Sequence, residues 1–109
     1  MKHIAKATVV ATMGLAIAGC DINEWHLKRK AKEAVSERLR DPDSAKFRNL
    51  EVVGPSGSAA VCGEVNGKNG FGAYAGYEHF ISEYDGGLVR LESQWGESFE
   101  SEWDETCRS

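Results

Sequence analysis

Apolar residues between charges mark the first element: Trp25, Leu27, Ala31, Ala34, Val35 and Leu39 recur at helical spacing, with Lys, Arg and Glu between them. That spacing gathers them on one stripe of an amphipathic helix. With Asn23 as its N-cap, the pattern predicts a helix over 24–40. It stops at Asp41, because the residue before Pro42 is pushed out of the helical region. Asp43 and Ser44 can satisfy free N–H groups at the start of a short turn through Ala45 to Phe47, with Phe47 anchoring the turn to the core. From Leu50 to Ser93 the pattern is that of strands. Leu50, Val52 and Val53 lead into Gly54-Pro55-Ser56-Gly57-Ser58, read as a hairpin connection to a half-buried strand over 59–66. Asn66-Gly67-Lys68-Asn69-Gly70 is dense in turn residues, 71–84 alternates small and large side chains, and Asp85-Gly86-Gly87 reverses the chain into 88–93. Trp95, Phe99, Trp103 and Cys107 then follow at steps of four, one stripe of a C-terminal helix over 95–107. The expected fold is α+β: an N-terminal amphipathic helix and a short C-terminal helix packed on one face of a four-stranded antiparallel sheet spanning 48–93.

Upstream lies a different kind of segment. Lys2 and Lys6 precede an apolar run over 7–19, which ends in Ile17-Ala18-Gly19-Cys20. The order basic, apolar, small is that of a secretory signal, and the run is too short to span a bilayer. The small-small-Cys ending resembles the lipobox of bacterial lipoproteins, which implies cleavage before Cys20 and acylation of that residue. Two or more acyl chains make a stable anchor where one is marginal. The expected organisation is a signal peptide over 1–19 and a single periplasmic domain over 20–109, tethered to the lipid bilayer through acylated Cys20. Asp21 resembles the inner-membrane retention signal of enterobacterial lipoproteins, which favours the inner over the outer membrane.

That address changes the meaning of the three cysteines. With Cys20 lipidated, Cys62 and Cys107 remain in an oxidising compartment, and a disulfide between them is expected, the alternatives being two buried thiols or a metal pair. Charge narrows the partners. The full chain has thirteen Lys and Arg against seventeen acids. Two of the bases and none of the acids precede Cys20, leaving −6 for the remainder. Such a balance argues against a nucleic-acid partner. Lys28, Arg29, Lys30, Lys32, Arg38 and Arg40 lie near the anchor, whereas Glu92, Glu97, Glu100, Glu102, Asp104 and Glu105 crowd the other end. The division either orients the domain over anionic headgroups or reflects two solvated helix faces.

Catalytic patterns are sparse. No C-x-x-C, H-E-x-x-H or calcium-loop pattern occurs, so neither a metal nor another cofactor is expected. Ser56 misses the nucleophile-elbow pattern, and Gly67-Lys68-Asn69-Gly70-Phe71-Gly72 lacks the residues of a phosphate-binding loop. Glu78 and His79, adjacent on a strand, would point to opposite faces.

Leu39-Arg40-Asp41-Pro42-Asp43-Ser44-Ala45-Lys46-Phe47, Val61-Cys62-Gly63-Glu64-Val65-Asn66-Gly67-Lys68-Asn69, Tyr74-Ala75-Gly76-Tyr77 and the closing Trp103 with Cys107 together resemble a family of small exported proteins of proteobacteria and their phages. The resemblance covers 39–107 and implies that the D-P-x-S-A-x-F and V-C-G-x-V-N-x-K-N segments form one unit. It implies no activity. Recognition, if the domain performs it, is expected of Glu64, Asn66, Lys68, Asn69, Tyr74 and Tyr77, which combine donors, an acceptor and broad aromatic area beside glycines. The expected function is a non-enzymatic binding or accessory module of the envelope with a protein partner, including a prophage-type factor that excludes competing phage or DNA. An inhibitor of a basic cell-wall hydrolase such as lysozyme is the alternative, and a small hydrolase using Glu64 or Glu78 with His79 a further one.

Overall fold

The computed structural model describes residues 23–55, 57–83 and 87–108. The signal segment, Cys20, Asp21, Ser56 and the Asp85-Gly86 part of the reversal lie outside the described residues. Helix α1 covers 23–36. A 3₁₀ turn, Pro42–Ser44, leads into β1 (Lys46–Val53), β2 (Ala60–Asn66), β3 (Glu78–Ser82), β4 (Val89–Leu91), α2 (Glu92–Trp95) and α3 (Ser98–Thr106). The strands lie in the order β1-β2-β3-β4, each antiparallel to the next. This is the α+β fold with a four-stranded antiparallel sheet, and Cys62 is bonded to Cys107.

The helices do not share a face of the sheet. Ala31 and Val35 of α1 pack with Val61, Val65, Phe80, Val89 and Leu91, whereas Phe99 of α3 packs with Ala60 and Ile81, the alternate residues of the same strands. Side chains at successive strand positions point to opposite faces, so α1 covers one side and α3 the other. The expected half-buried β2 is correspondingly buried on both sides, from Ala60 through Gly63. A strand buried on both faces reads as an unbroken apolar run. Cys62 points away from Val61, so the disulfide itself draws the C-terminal helix to the side opposite α1.

Local differences from expectation have local causes. The α1 helix already includes Asn23, which is therefore not its cap, and it ends at residue 36 rather than 40. Arg38 N–H donates to Val35 O and Leu39 N–H to Ser36 O, tightening the last turn before Asp41 becomes extended ahead of Pro42. Trp25 lies off the core stripe, 59 % exposed. The turn after Asp41 is shorter than expected, and Phe47 belongs to β1, with its ring edge-on to Phe80 at 5.8 Å. β1 starts at Lys46 and carries an irregularity between Arg48 and Glu51, where Asn49 takes φ 55°. Asn tolerates this left-handed conformation better than most residues. β3 starts only at Glu78, because residues 67–77 form a loop, and β4 yields to α2 at Glu92. Gly96, at φ 72°, breaks the C-terminal helix in two, so Trp95 leaves the stripe formed by Phe99, Trp103 and Cys107.

Candidate functional site

α3 covers only part of its face of the sheet. Where it stops, the strand register sets a polar row across β1, β2 and β3: Lys46 opposite Asn66, and Arg48 opposite Glu64, itself opposite His79. Directly opposed residues share a face. Arg48 donates from Nε and Nη2 to the two Glu64 carboxylate oxygens, at 3.3 and 3.1 Å, and Asn49 Nδ2 donates to Glu64 Oε2. The β-bulge thus serves the site, since the left-handed backbone at Asn49 brings its amide to the carboxylate. The Arg48 guanidinium in turn lies 3.8 Å from the Tyr77 ring centroid, while the Lys46 ammonium stands 4.3 Å and that of Lys68 5.8 Å from the Tyr74 centroid. Cations at these separations are attracted to the ring quadrupole. On the other side of Glu64, the His79 and Trp103 rings meet at 4.5 Å. Asn49, Glu51, Glu64, His79, Trp103 and the Cys62–Cys107 disulfide line a cleft of about 230 Å³ there.

The loop over 67–77 closes the other end of the row, and its own side chains hold it. Asn69 Oδ1 accepts from the N–H groups of Phe71 and Ala73 at 2.9 and 3.2 Å, and Asn66 Oδ1 accepts from Gly76 N–H at 3.1 Å. Gly72 at φ 79° permits the tight reversal. Ser44 ties this loop to the turn after α1: its hydroxyl donates to Asp41 O and accepts from Lys68 N–H, while its carbonyl accepts from Tyr74 OH. The D-P-x-S-A-x-F and V-N-x-K-N segments therefore meet as one unit. At the loop tip, Phe71 is 97 % exposed. A second cleft of about 190 Å³ lies on the far side of the loop, between Arg38, Arg40, Gly76 and Gln94.

Of the six residues expected to recognise a partner, Glu64, Tyr74 and Tyr77 border the polar row, with Lys68 beside Tyr74. Asn66 and Asn69 instead turn their carbonyl oxygens inward to support the loop. Sequence reasoning missed Lys46, Arg48, Asn49, Phe71 and Trp103 as parts of the site, and it joined His79 to Glu64 only in the hydrolase alternative. The alternation Lys46-Phe47-Arg48 carried the signal for two of them, hidden by assigning Phe47 to a turn.

Hydrogen bonds from Arg48 and then Asn49 hold the Glu64 carboxyl below its ordinary value of 4.5. A depressed folded-state value stabilises the fold above the unfolded value, and that contribution is lost as pH falls through the folded one. Glu64→Gln should therefore destabilise the protein at neutral pH, with the gap to wild type closing as pH drops below the lowered Glu64 value. Denaturant midpoints at about pH 7 and about pH 3 measure it, and a gap independent of pH would remove the ionic explanation. The effect should be modest, because the Arg48 side chain is half exposed and solvent screens the pair.

Among the described residues no group of three or more His, Cys, Asp or Glu is placed to hold a metal ion. Fold and site define a small disulfide-stapled α+β domain in which, among the described residues, part of one sheet face is uncovered by a helix. No protein-family model matches the chain, and no curated protein or solved structure shows significant similarity to it.

Proposed function

We propose that the chain is a membrane-tethered periplasmic lipoprotein, acylated at Cys20, whose domain binds another protein of the cell envelope and catalyses no reaction. The observation that carries the binding role is the loop over 67–77: it is fixed from within by Asn66 and Asn69, bolted to Ser44, exposes Phe71 at its tip, and carries Tyr74 and Tyr77, whose rings meet the Lys46 and Arg48 cations of β1. A preorganised loop presenting aromatic rings and cations loses little entropy on docking, and aromatic and Arg side chains supply most hot spots. Proton transfer fits the same residues poorly, because Arg48 and Asn49 place three donors on the Glu64 oxygens and lower its basicity, which makes it a weak proton acceptor. Both cysteines among the described residues, Cys62 and Cys107, are consumed in the disulfide.

A photo-crosslinking amino acid at Phe71 in living cells should give one dominant adduct, absent when the probe stands at exposed Ser58 in the β1–β2 connection, at the other end of the sheet from the 67–77 loop. Adducts equal at both positions, or none at Phe71, would reject this surface. Fractionation of Cys20→Ala tests the tether separately, since its persistence in the membrane would contradict lipid anchoring. The exposed acids Glu97, just before α3, and Glu100 within it favour a second reading as an inhibitor of a basic cell-wall hydrolase. In that case purified protein blocks lysozyme at low salt and loses the block as salt is raised.

A further inference from the structure

Placing the two helices on opposite faces of the sheet also separates charge. Residues 23–36 carry four bases, Lys28, Arg29, Lys30 and Lys32, against two acids, Glu24 and Glu33, whereas α3 carries four acids and no base. On α1, Ala31 and Val35 face the core with Leu27 beside them. At 3.6 residues per turn, Trp25, Arg29 and Glu33 fall on the opposite, outward side, with Lys32 at its edge. Trp25 is 59 % exposed, with the Arg29 guanidinium 5.4 Å from its ring centroid and the His26 ring edge-on at 5.1 Å. Arg29 is also paired with Glu33 at 3.0 Å, and the helix keeps a surplus of two bases. A large exposed indole beside a guanidinium on a basic helix is a composition found where protein meets lipid headgroups: the ring enters the interface while the cations stay at the phosphates.

We infer that the outward side of α1, centred on Trp25 and Arg29 with Lys32 at its edge, rests on an anionic lipid surface and fixes the orientation of the domain. This rests on the lipoprotein reading, which places the bilayer five residues before Trp25. Two arguments choose lipid over another protein as the occupant. The first is continuity with Cys20. The second is complementarity: negative headgroups attract α1 and repel α3 within a Debye length of about 8–10 Å. The sheet lies between, so the cleft beside Trp103 opens away from the membrane and towards a partner.

The test uses the full-length protein reconstituted into vesicles of phosphatidylcholine alone or with about 30 % phosphatidylglycerol, each doped with a lipid whose spin label quenches indole near the headgroups. The share of quenching lost in Trp25→Phe isolates this ring from Trp95 and Trp103. It should be at least about two-fold larger in the anionic vesicles and collapse in about 0.5 M salt. Equal quenching of wild type and Trp25→Phe in anionic vesicles, or quenching indifferent to headgroup charge, overturns the inference. Matching circular dichroism of the two proteins confirms that the variant folds. The intact mass keeps the two readings apart. Acylated protein without Trp25 quenching defeats this inference alone. Unacylated protein with charge-dependent Trp25 quenching defeats the lipid anchor and leaves the α1 surface standing.

Discussion

Replacing both Cys62 and Cys107 with serine should lower stability by about 4 kcal/mol, the chain-entropy value for a closed loop of this size. The bond joins residues 45 apart, the middle of β2 and the residue that caps α3. Other contacts hold α3 weakly. Its fully buried side chain is Phe99, and Trp103 and Cys107 contribute only partly buried surface. Nine residues are too few for a stable isolated helix. Without the staple, α3 should detach before the rest of the sheet unfolds, and Trp103 should leave His79 and the cleft. At about 4–8 °C per kcal/mol for a domain of this size, the melting midpoint should fall by roughly 20 °C. Thermal melts of wild type and the double serine variant measure that fall. Amide exchange adds the local signature, with α3 amides losing protection ahead of those in β2 and β3. A midpoint within a few degrees of wild type would mean that α3 packing alone suffices, and uniform loss of protection would mean that α3 and the sheet open as one unit.

The staple also shows which parts of this structure were legible in the sequence. Local period and composition sufficed for an N-terminal helix, four strands and a C-terminal helix, because each is written in its own residues. Cysteine pairing was legible once the lipobox-like context of Cys20 set that residue apart and left Cys62 and Cys107 as a pair. The placement of the helices was not, since which face a helix covers depends on which side of β2 each apolar residue takes. Ala60-Val61-Cys62 holds that information as an unbroken apolar run, which by itself does not separate a strand buried on both faces from a half-buried one. The site was lost in a similar way. Glu64, Tyr74 and Tyr77 stood out by type, but Lys46, Arg48 and His79 join them only through register, and the register depends on a bulge at Asn49. Asn66 and Asn69 show the converse. Their amides can either recognise a partner or hold a loop, and only the positions of the Gly76, Phe71 and Ala73 N–H groups decide. Gly96 was equally ambiguous: the four-residue steps ran through it, but its positive φ ends the helix on one side of Trp95's successor.

Phe80→Ala should destabilise the domain by about 3–5 kcal/mol, and the space it opens should be partly recovered by a change at Gly63. Phe80 is wholly buried at the centre of the α1 side of the sheet, opposite Gly63 in the β2–β3 register. A Cβ built on Gly63 would stand 2.6 Å from Leu50 Cδ2, and 3.1 and 3.2 Å from Phe80 Cζ and Cε2. The Leu50 methyl can swing aside, since that side chain is only partly buried, but the Phe80 ring is enclosed between Phe47 and the core. Gly63→Ala alone should therefore overpack the core, at about 1–3 kcal/mol. This is why the V-C-G-x-V segment carries glycine in the middle of a strand, where its entropy and missing side chain are otherwise unfavourable. In the Phe80→Ala background the same methyl group enters vacated space and meets one fewer obstacle. The double variant should be more stable than the sum of the single losses predicts, with a coupling of about 0.5–3 kcal/mol. Urea midpoints for the four proteins measure it, provided their m-values agree. Strict additivity would show that the Gly63 restriction comes from Leu50 or the backbone. A coupling of the predicted sign would assign it to the Phe80 ring, which packs over Gly63 from β3.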